Sequence, residues 1–261
     1  MKIVLIGAGN LATNLGKALL AAGHDILQVY SHTMAHATEL ADVIGGAPTD
    51  NLSRIVSGAD MYIISVKDSA MVDMLPKLCA GKENKIFVHT AGSMPMNVFE
   101  RMALHYGVIY PMQTFSKEAP VDFHEIPCFI EYNDPFAMMY IRELADSISN
   151  HVKELNSEDR KYLHLSAVWA CNFVNHCYTV AADILQKHGM DFKVMLPLID
   201  ETCRKVHTLQ PLDAQTGPAV RFDQNVIRSQ ANLLKDNPLL KDLYERMSLS
   251  IHKFATPKEQ L

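Results

Sequence analysis

The chain has 261 residues, 48% of them hydrophobic, with 24 Lys plus Arg against 29 Asp plus Glu and a formal net charge of −5. That length and apolar content support one large or two ordinary domains with a real core, and the charge balance excludes a broad basic field for nucleic acid or an anionic membrane surface. Five cysteines (Cys79, Cys128, Cys171, Cys177, Cys203) with no C-x-x-C pair suit reduced thiols in a cytoplasmic protein, and no apolar run approaches the roughly 18 residues of a membrane helix.

The chain opens with "KIVLI", an apolar run that reads as a buried strand rather than a signal peptide because it passes straight into Gly7-Ala8-Gly9-Asn10-Leu11-Ala12 and a helix over residues 10–22. The alternation continues with "DILQVY" and a helix over 33–44, "MYIISV" and 69–78, "KIFVH" and 95–106, then "GVIY". "CFIEY" and "HVKEL", flanking a helix over 136–148, read as a strand pair that extends the sheet. Such alternation predicts a doubly wound, mostly parallel α/β sheet covered on both faces.

From about Ser157 the β-like runs stop, and periodic stretches over 158–188, 192–208, 219–235 and 238–254 predict helices. Asn156-Ser157-Glu158-Asp159 offers capping oxygens and early negative charge to the first of these, and Gly189 is a natural terminator. The expected organisation is an α/β domain over residues 1–155 followed by an all-α domain over 156–261, with no repeat and no flexible linker between them.

The Gly7-x-Gly9-x-x-Ala12 turn sits where strand passes into helix. Gly7 permits the turn, Gly9 lets backbone approach a pyrophosphate, and Ala12 allows close helix packing. The helix N-terminus then offers N–H groups and a positive dipole end to phosphates. Gly7, Gly9, Asn10 and Leu11 are therefore candidate dinucleotide-binding residues, against the bland reading of a bare structural turn. The second strand ends in Ser31-His32-Thr33, without the Asp or Glu that binds ribose hydroxyls at an NAD site. These three could donate to a 2′-phosphate, so NADP is the expected cofactor, with NAD possible.

Ligands of such folds lie beyond the carboxyl ends of the strands, which directs attention to "SVKDS", "HTAGS" and "YPMQTFS". Val66, Lys67 and Thr90 would face the cofactor. Lys67, His89 and Ser93 could move a proton or hold substrate, while Gln113 and Ser116 look like positioning groups. In the helical half His164, Val168, Asn172 and His176 recur every four residues along one slowly drifting stripe. His164 and His176 stand about 18 Å apart at ~1.5 Å per residue, too far for one ion, so no metal is expected. In "AQTGPAVRFD", Thr216 and Arg221 could hold an anionic substrate, or Arg221 could pair with Asp223 to cap the next helix.

The ordered segments "GAGNLATNL", "YIISVKDSA", "VHTAGS", "YPMQTFSK", "HLSAVWACNFVNH" and "AQTGPAVRFD" resemble Rossmann-like proteins with a C-terminal DUF2520 domain, within the 6-phosphogluconate-dehydrogenase-like superfamily. The resemblance implies a Rossmann-type domain, a helical substrate and dimerisation domain, and a homodimer. More distantly, "SVKDS" is similar to the S-V-K-P turn of pyrroline-5-carboxylate reductases, with Asp68 in place of Pro. "YPMQTF" followed by "DRKYLHLSAVWACNF" is similar to segments of prephenate dehydrogenases, with Tyr110 where those have His and without their S-H-L-P run.

The expected function is an NAD(P)-dependent oxidoreductase. It would transfer a hydride between NADP(H) and a small, anionic carbonyl/imine or hydroxy/amino metabolite at the cleft between the domains. Lys67, His164, Asn172 and His176 are its candidate catalytic groups; Ser93, Gln113, Ser116, Thr216 and Arg221 are its candidate substrate groups. The rival reading is a non-catalytic dinucleotide or metabolite sensor that dimerises through its helical domain; a third is a scaffold with an empty turn.

Overall fold

A computed structural model describes residues 1–119 and 121–256. The chain divides into two compact units, Met1–His176 and a second that begins at Cys177. Among the described residues no helix is long and apolar enough to cross a membrane.

The first unit is built on a sheet that, among the described residues, has eight strands: β1 (Lys2–Ile6), β2 (Asp25–Tyr30), β3 (Ala47–Thr49), β4 (Met61–Ile64), β5 (Ile86–His89), β6 (His105–Pro111), β7 (Cys128–Tyr132) and β8 (Val152–Glu154). Their order is β3-β2-β1-β4-β5-β6-β7-β8. All pairings are parallel except β6 with β7, where Tyr110 faces Phe129. This is the doubly wound, mostly parallel sheet expected from the alternation. The chain reverses its direction of travel across the sheet at β1, so a crevice opens beyond the carboxyl ends of β1 and β4.

Alternate residues of β1 feed two cores. Ile3 and Leu5 pack with α1 (Asn10–Ala21), α2 (Met34–Ile44) and α4 (Pro135–Ile148), while Val4 and Ile6 pack with α3 (Asp68–Cys79) and Phe99. Strands buried on both faces read as continuous apolar runs, which is why "KIVLI" and "MYII" are legible as strands. Helix α5 (Ser157–Ala167) begins as its sequence suggests: the Asn156 side chain accepts from the Asp159 N–H at 2.8 Å.

Three expectations need correction. The helix expected over 95–106 is only a single 3₁₀ turn, Met96–Phe99. Arg101 adopts φ 67° and stops any continuation, Phe99 plugs into the core against Phe87 and Tyr106, and His105 and Tyr106 already belong to β6. The helix expected over 219–235 is α9 (Gln224–Leu233), preceded by a turn in which Phe222 has φ 50° and capped at its N-terminus by the Asp223 carboxylate, which accepts from Val226 N–H at 3.3 Å. The long helix over 158–188 is interrupted by a π-helical turn at Val168–Phe173 before α6 (Val174–Lys187). That wider turn changes the phase of residues on either side of it, so the four-residue stripe drawn through Val168 and Asn172 is not one straight helical face.

The second unit contains α7 (Leu196–Val206), the short α8 (Pro211–Ala214), α9 and α10 (Pro238–Ala255). Tyr244 of α10 donates to the Gln230 side chain at 2.6 Å, and Phe222 stacks on His252 with centroids 4.3 Å apart.

Candidate dinucleotide and substrate site

The glycine turn is built by packing constraints. Gly7 has φ 122°, and a Cβ there would fall 2.1 Å from the Ser65 carbonyl oxygen, so only glycine lets β1 turn beside β4. Its N–H donates to Tyr30 O at 2.8 Å, tying the turn to the end of β2. Gly9 precedes α1, where no side chain caps the first N–H groups, and a Cβ on Gly9 would meet nothing within 4 Å. Ala12 is fully buried under the turn. An uncapped helix N-terminus facing open space beside a side-chain-free backbone fits a pyrophosphate, so these residues suit a dinucleotide.

The turn opens into a cavity of about 1080 Å³ beyond the carboxyl ends of the strands. Of the residues singled out from the sequence, Gly7, Gly9, Asn10, Leu11, Ser31, His32, Val66, Lys67, Thr90, Ser93, Gln113 and His164 line it. Thr33 and Ser116 flank it. Thr33 precedes α2 with its N–H 3.5 Å from the Ser31 hydroxyl, and the Ser116 carbonyl accepts from the Asn14 amide at 3.0 Å. Asn172, within the π turn, and His176, in α6, are exposed and not among the lining residues. Thr216 and Arg221 belong to the second unit, where Asp223 makes its cap directly and no Arg221–Asp223 ion pair forms among the described residues.

One end of the cavity holds a hydrogen-bonded pair. The Tyr110 hydroxyl, at the carboxyl end of β6, lies 3.1 Å from Nδ1 of His164 on α5, and the two rings meet edge to face. Burial pushes the Tyr110 phenol up, Arg160 pulls it down and Cys171 pushes it up again. In the same cavity the Ser93 hydroxyl donates to the Asp68 carboxylate.

His89 is not a rim residue. It is fully buried and stacked on Phe99, with Nδ1 accepting the Ala91 N–H at 3.2 Å. Burial, and then the Arg160 charge, lower its pKa to about 3 against a smaller opposing effect of the Pro95 carbonyl, so it stays neutral at pH 7. Arg160 is 1% exposed and donates to Glu131 Oε2 and to Met94 O, each at 2.6 Å, which anchors the start of α5 to the loop after β5. Charge pairing and hydrogen bonds make this burial tolerable, although its Nε has no partner among the described residues.

Sequence reasoning assigned no site role to Tyr110, Asp68, His36 and Lys117, all of which line the cavity. Tyr110 was legible in principle, because it ends an apolar strand at the rim. Lys117 carries no local signal: it reaches the cavity only because the loop after β6 folds back over α1.

Two family models match the chain. A domain of unknown function, DUF2520, matches residues 126–251, and one described as "NADP oxidoreductase coenzyme F420-dependent" matches residues 2–92. A solved structure from Bacteroides fragilis, provisionally named an NADP oxidoreductase, is 52% identical with a TM-score of 0.93, covering 97% of this chain and 98% of that one. The chain belongs to this DUF2520-containing family of Rossmann-like NADP oxidoreductases. Protein TM1727 from Thermotoga maritima shares the fold at 19% identity and TM-score 0.78, covering 97% and 99% of the two chains. An imine reductase from Myxococcus stipitatus, solved with NADP⁺, does so at 16% identity and TM-score 0.67, covering 97% and 93%. No curated protein matches the chain.

Proposed function

We propose that this family member is an NADP(H)-dependent oxidoreductase acting on a small, anionic carbonyl or imine, or on the corresponding hydroxy or amino compound. The observation that carries the reading is one cavity that contains both the Gly7–Gly9 cradle and the Tyr110–His164 pair. The Bacteroides fragilis relative's name and the NADP⁺ bound to the imine reductase support it. A bound nicotinamide supplies the hydride. What the chain must add is a proton for the substrate heteroatom and a surface that orients the substrate.

Tyr110 and His164 meet the first need. Burial keeps the phenol protonated, and its hydrogen bond to the imidazole gives the proton a path between the two groups. Lys67 brings a cation to the same cavity, and Ser93 and Gln113 bring hydrogen-bonding groups suited to a carboxylate. We retain Ser116 from its rim segment, Asn172 and His176 from the helical stripe, and Thr216 and Arg221 from the "AQTGPAVRFD" cluster as further substrate-side candidates. The reading keeps residues 1–155 as the cofactor domain and 156–261 as the substrate and dimerisation domain of a cytoplasmic homodimer. Strongly exposed apolar side chains such as Leu233, Leu239 and Phe254 support the dimer.

Titration of the purified chain with NADPH and NADH, followed by nucleotide fluorescence, tests the cofactor. Tighter binding of NADPH is expected, followed by NADPH consumption with at least one member of a panel of α-keto acids and cyclic imines. Failure to bind either nucleotide overturns the reading; binding without any turnover favours the sensor.

A further inference from the structure

The cavity receives a cation from an unexpected place. Ser31 and His32 follow β2, His36 lies in the first turn of α2, and no Asp or Glu stands between residues 31 and 36. Lys117 lines the same cavity from the loop after β6. It reaches there on a strap tied to α1: the Asn10 amide donates to the Phe115 carbonyl at 3.0 Å, and the Asn14 amide to the Ser116 carbonyl at 3.0 Å. Asn14 is buried, and its amide also donates to the Asn10 carbonyl at 2.9 Å, so both of its N–H groups serve this junction.

Beyond those ties the Lys117 ammonium lies 3.1 Å from both carboxylate oxygens of Glu39. Glu39 stands three residues after His36 on α2, so the ammonium is held over the helix face that carries the His36 imidazole. The strap that carries the lysine is thus anchored at α1 and the ammonium is delivered to α2, in the cavity that Ser31, His32 and His36 also line.

We propose that Lys117, with His32 and His36, forms the subsite for the adenosine 2′-phosphate and is the residue that makes the site prefer NADP(H) to NAD(H). This rests on the dinucleotide reading given above. A 2′-phosphate presents up to two negative charges and three acceptor oxygens. The ammonium has three donors and can turn toward the phosphate, and each imidazole can donate an N–H. With NAD(H) there is no phosphate to attract the lysine, and the Glu39 pair persists at no gain in affinity. Glu39 therefore holds the cation in place while also competing for it.

The test measures Kd values for NADPH, NADH, 2′,5′-ADP and ADP on the full chain, its Lys117→Met variant and its Glu39→Gln variant. Lys117→Met keeps the aliphatic stem and removes the charge. It is expected to weaken NADPH and 2′,5′-ADP about tenfold or more while leaving NADH and ADP unchanged, the size of one charge-assisted contact. Both variants break the Lys117–Glu39 pair, so a merely structural role predicts that they behave alike. The subsite predicts that Glu39→Gln keeps or increases the preference for the 2′-phosphate. An equal loss for all four nucleotides in Lys117→Met, or an unchanged preference, overturns the assignment while NADPH binding by the wild type upholds the cofactor reading. A wild type that binds neither NADPH nor NADH overturns both.

Discussion

The imidazole of His164 occupies the space in which a side chain on Gly92 would stand: a Cβ there would fall 2.5 Å from His164 Nδ1 and 3.0 Å from its Cβ. Nδ1 is also the atom 3.1 Å from the Tyr110 hydroxyl, so the loop after β5 sets the position of the pair from below. Gly92→Ala is expected to displace the imidazole from Tyr110 and to destabilise the fold by about 1–3 kcal/mol through overpacking. Urea unfolding and the NMR chemical shifts of the His164 ring check this; values equal to wild type would contradict the contact.

Gly7 and Gly9 should respond differently to the same substitution. Gly7→Ala meets the Ser65 carbonyl at 2.1 Å with φ at 122°, and is expected to lower stability by about 4 kcal/mol or more. Gly9→Ala meets nothing within 4 Å among the described residues and should leave the melting temperature nearly unchanged. Its methyl group projects where a pyrophosphate would approach, so NADPH affinity should fall. Equal melting temperatures for the two variants would refute the distinction.

Tyr110→Phe and His164→Ala are both expected to reduce turnover strongly while leaving NADPH affinity nearly intact, because each removes one partner of the 3.1 Å contact and neither belongs to the glycine turn. If the two groups act as a unit, the double variant should be little worse than either single one. Steady-state kinetics on whichever carbonyl or imine the panel yields, with NADPH binding measured separately, decides. Unchanged turnover in His164→Ala removes it from the chemistry.

His89 makes the fold acid-sensitive. Its folded pKa is lowered from the ordinary 6.5 to about 3, so between those values the unfolded chain binds the extra proton and the folded chain does not. Its contribution to stability is complete above pH 6.5 and declines as pH falls toward 3, by about 2 kcal/mol between pH 7 and pH 5. His24, also lowered by burial and then by the N-terminal charge, acts in the same direction. His89→Asn should flatten the acid limb of a plot of unfolding free energy against pH. An acid limb as steep as that of the wild type would mean that position 89 does not carry it.

Much of the first unit is readable along the chain because parallel strands buried on both faces must be apolar throughout. "KIVLI" and "DILQVY" announce β1 and β2 in this way, and Gly7-x-Gly9-x-x-Ala12 announces the turn between strand and helix. The stretch 95–106 misleads because its apolar spacing suits a helix equally well. Two ring contacts, of Phe99 with Phe87 and with Tyr106, and the left-handed Arg101 decide for a turn. The π turn at Val168–Phe173 likewise leaves no mark in composition, since it depends on how backbone hydrogen bonds are shared along a helix that reads as continuous.

By itself the sequence determined the alternation that builds the sheet, the place of the phosphate-binding turn and the rim segments where ligands would lie. Those follow from local rules: the two-residue period of a strand, the conformational freedom of glycine and the free N–H groups at a helix start. Only the tertiary structure decided that His89 lies beneath the rim, that Tyr110 pairs with His164 over Gly92, and that Lys117 pairs with Glu39 of α2. Each is a contact between segments remote in sequence. What sets it is how helices and loops pack across the sheet, and no local pattern of residues encodes that packing.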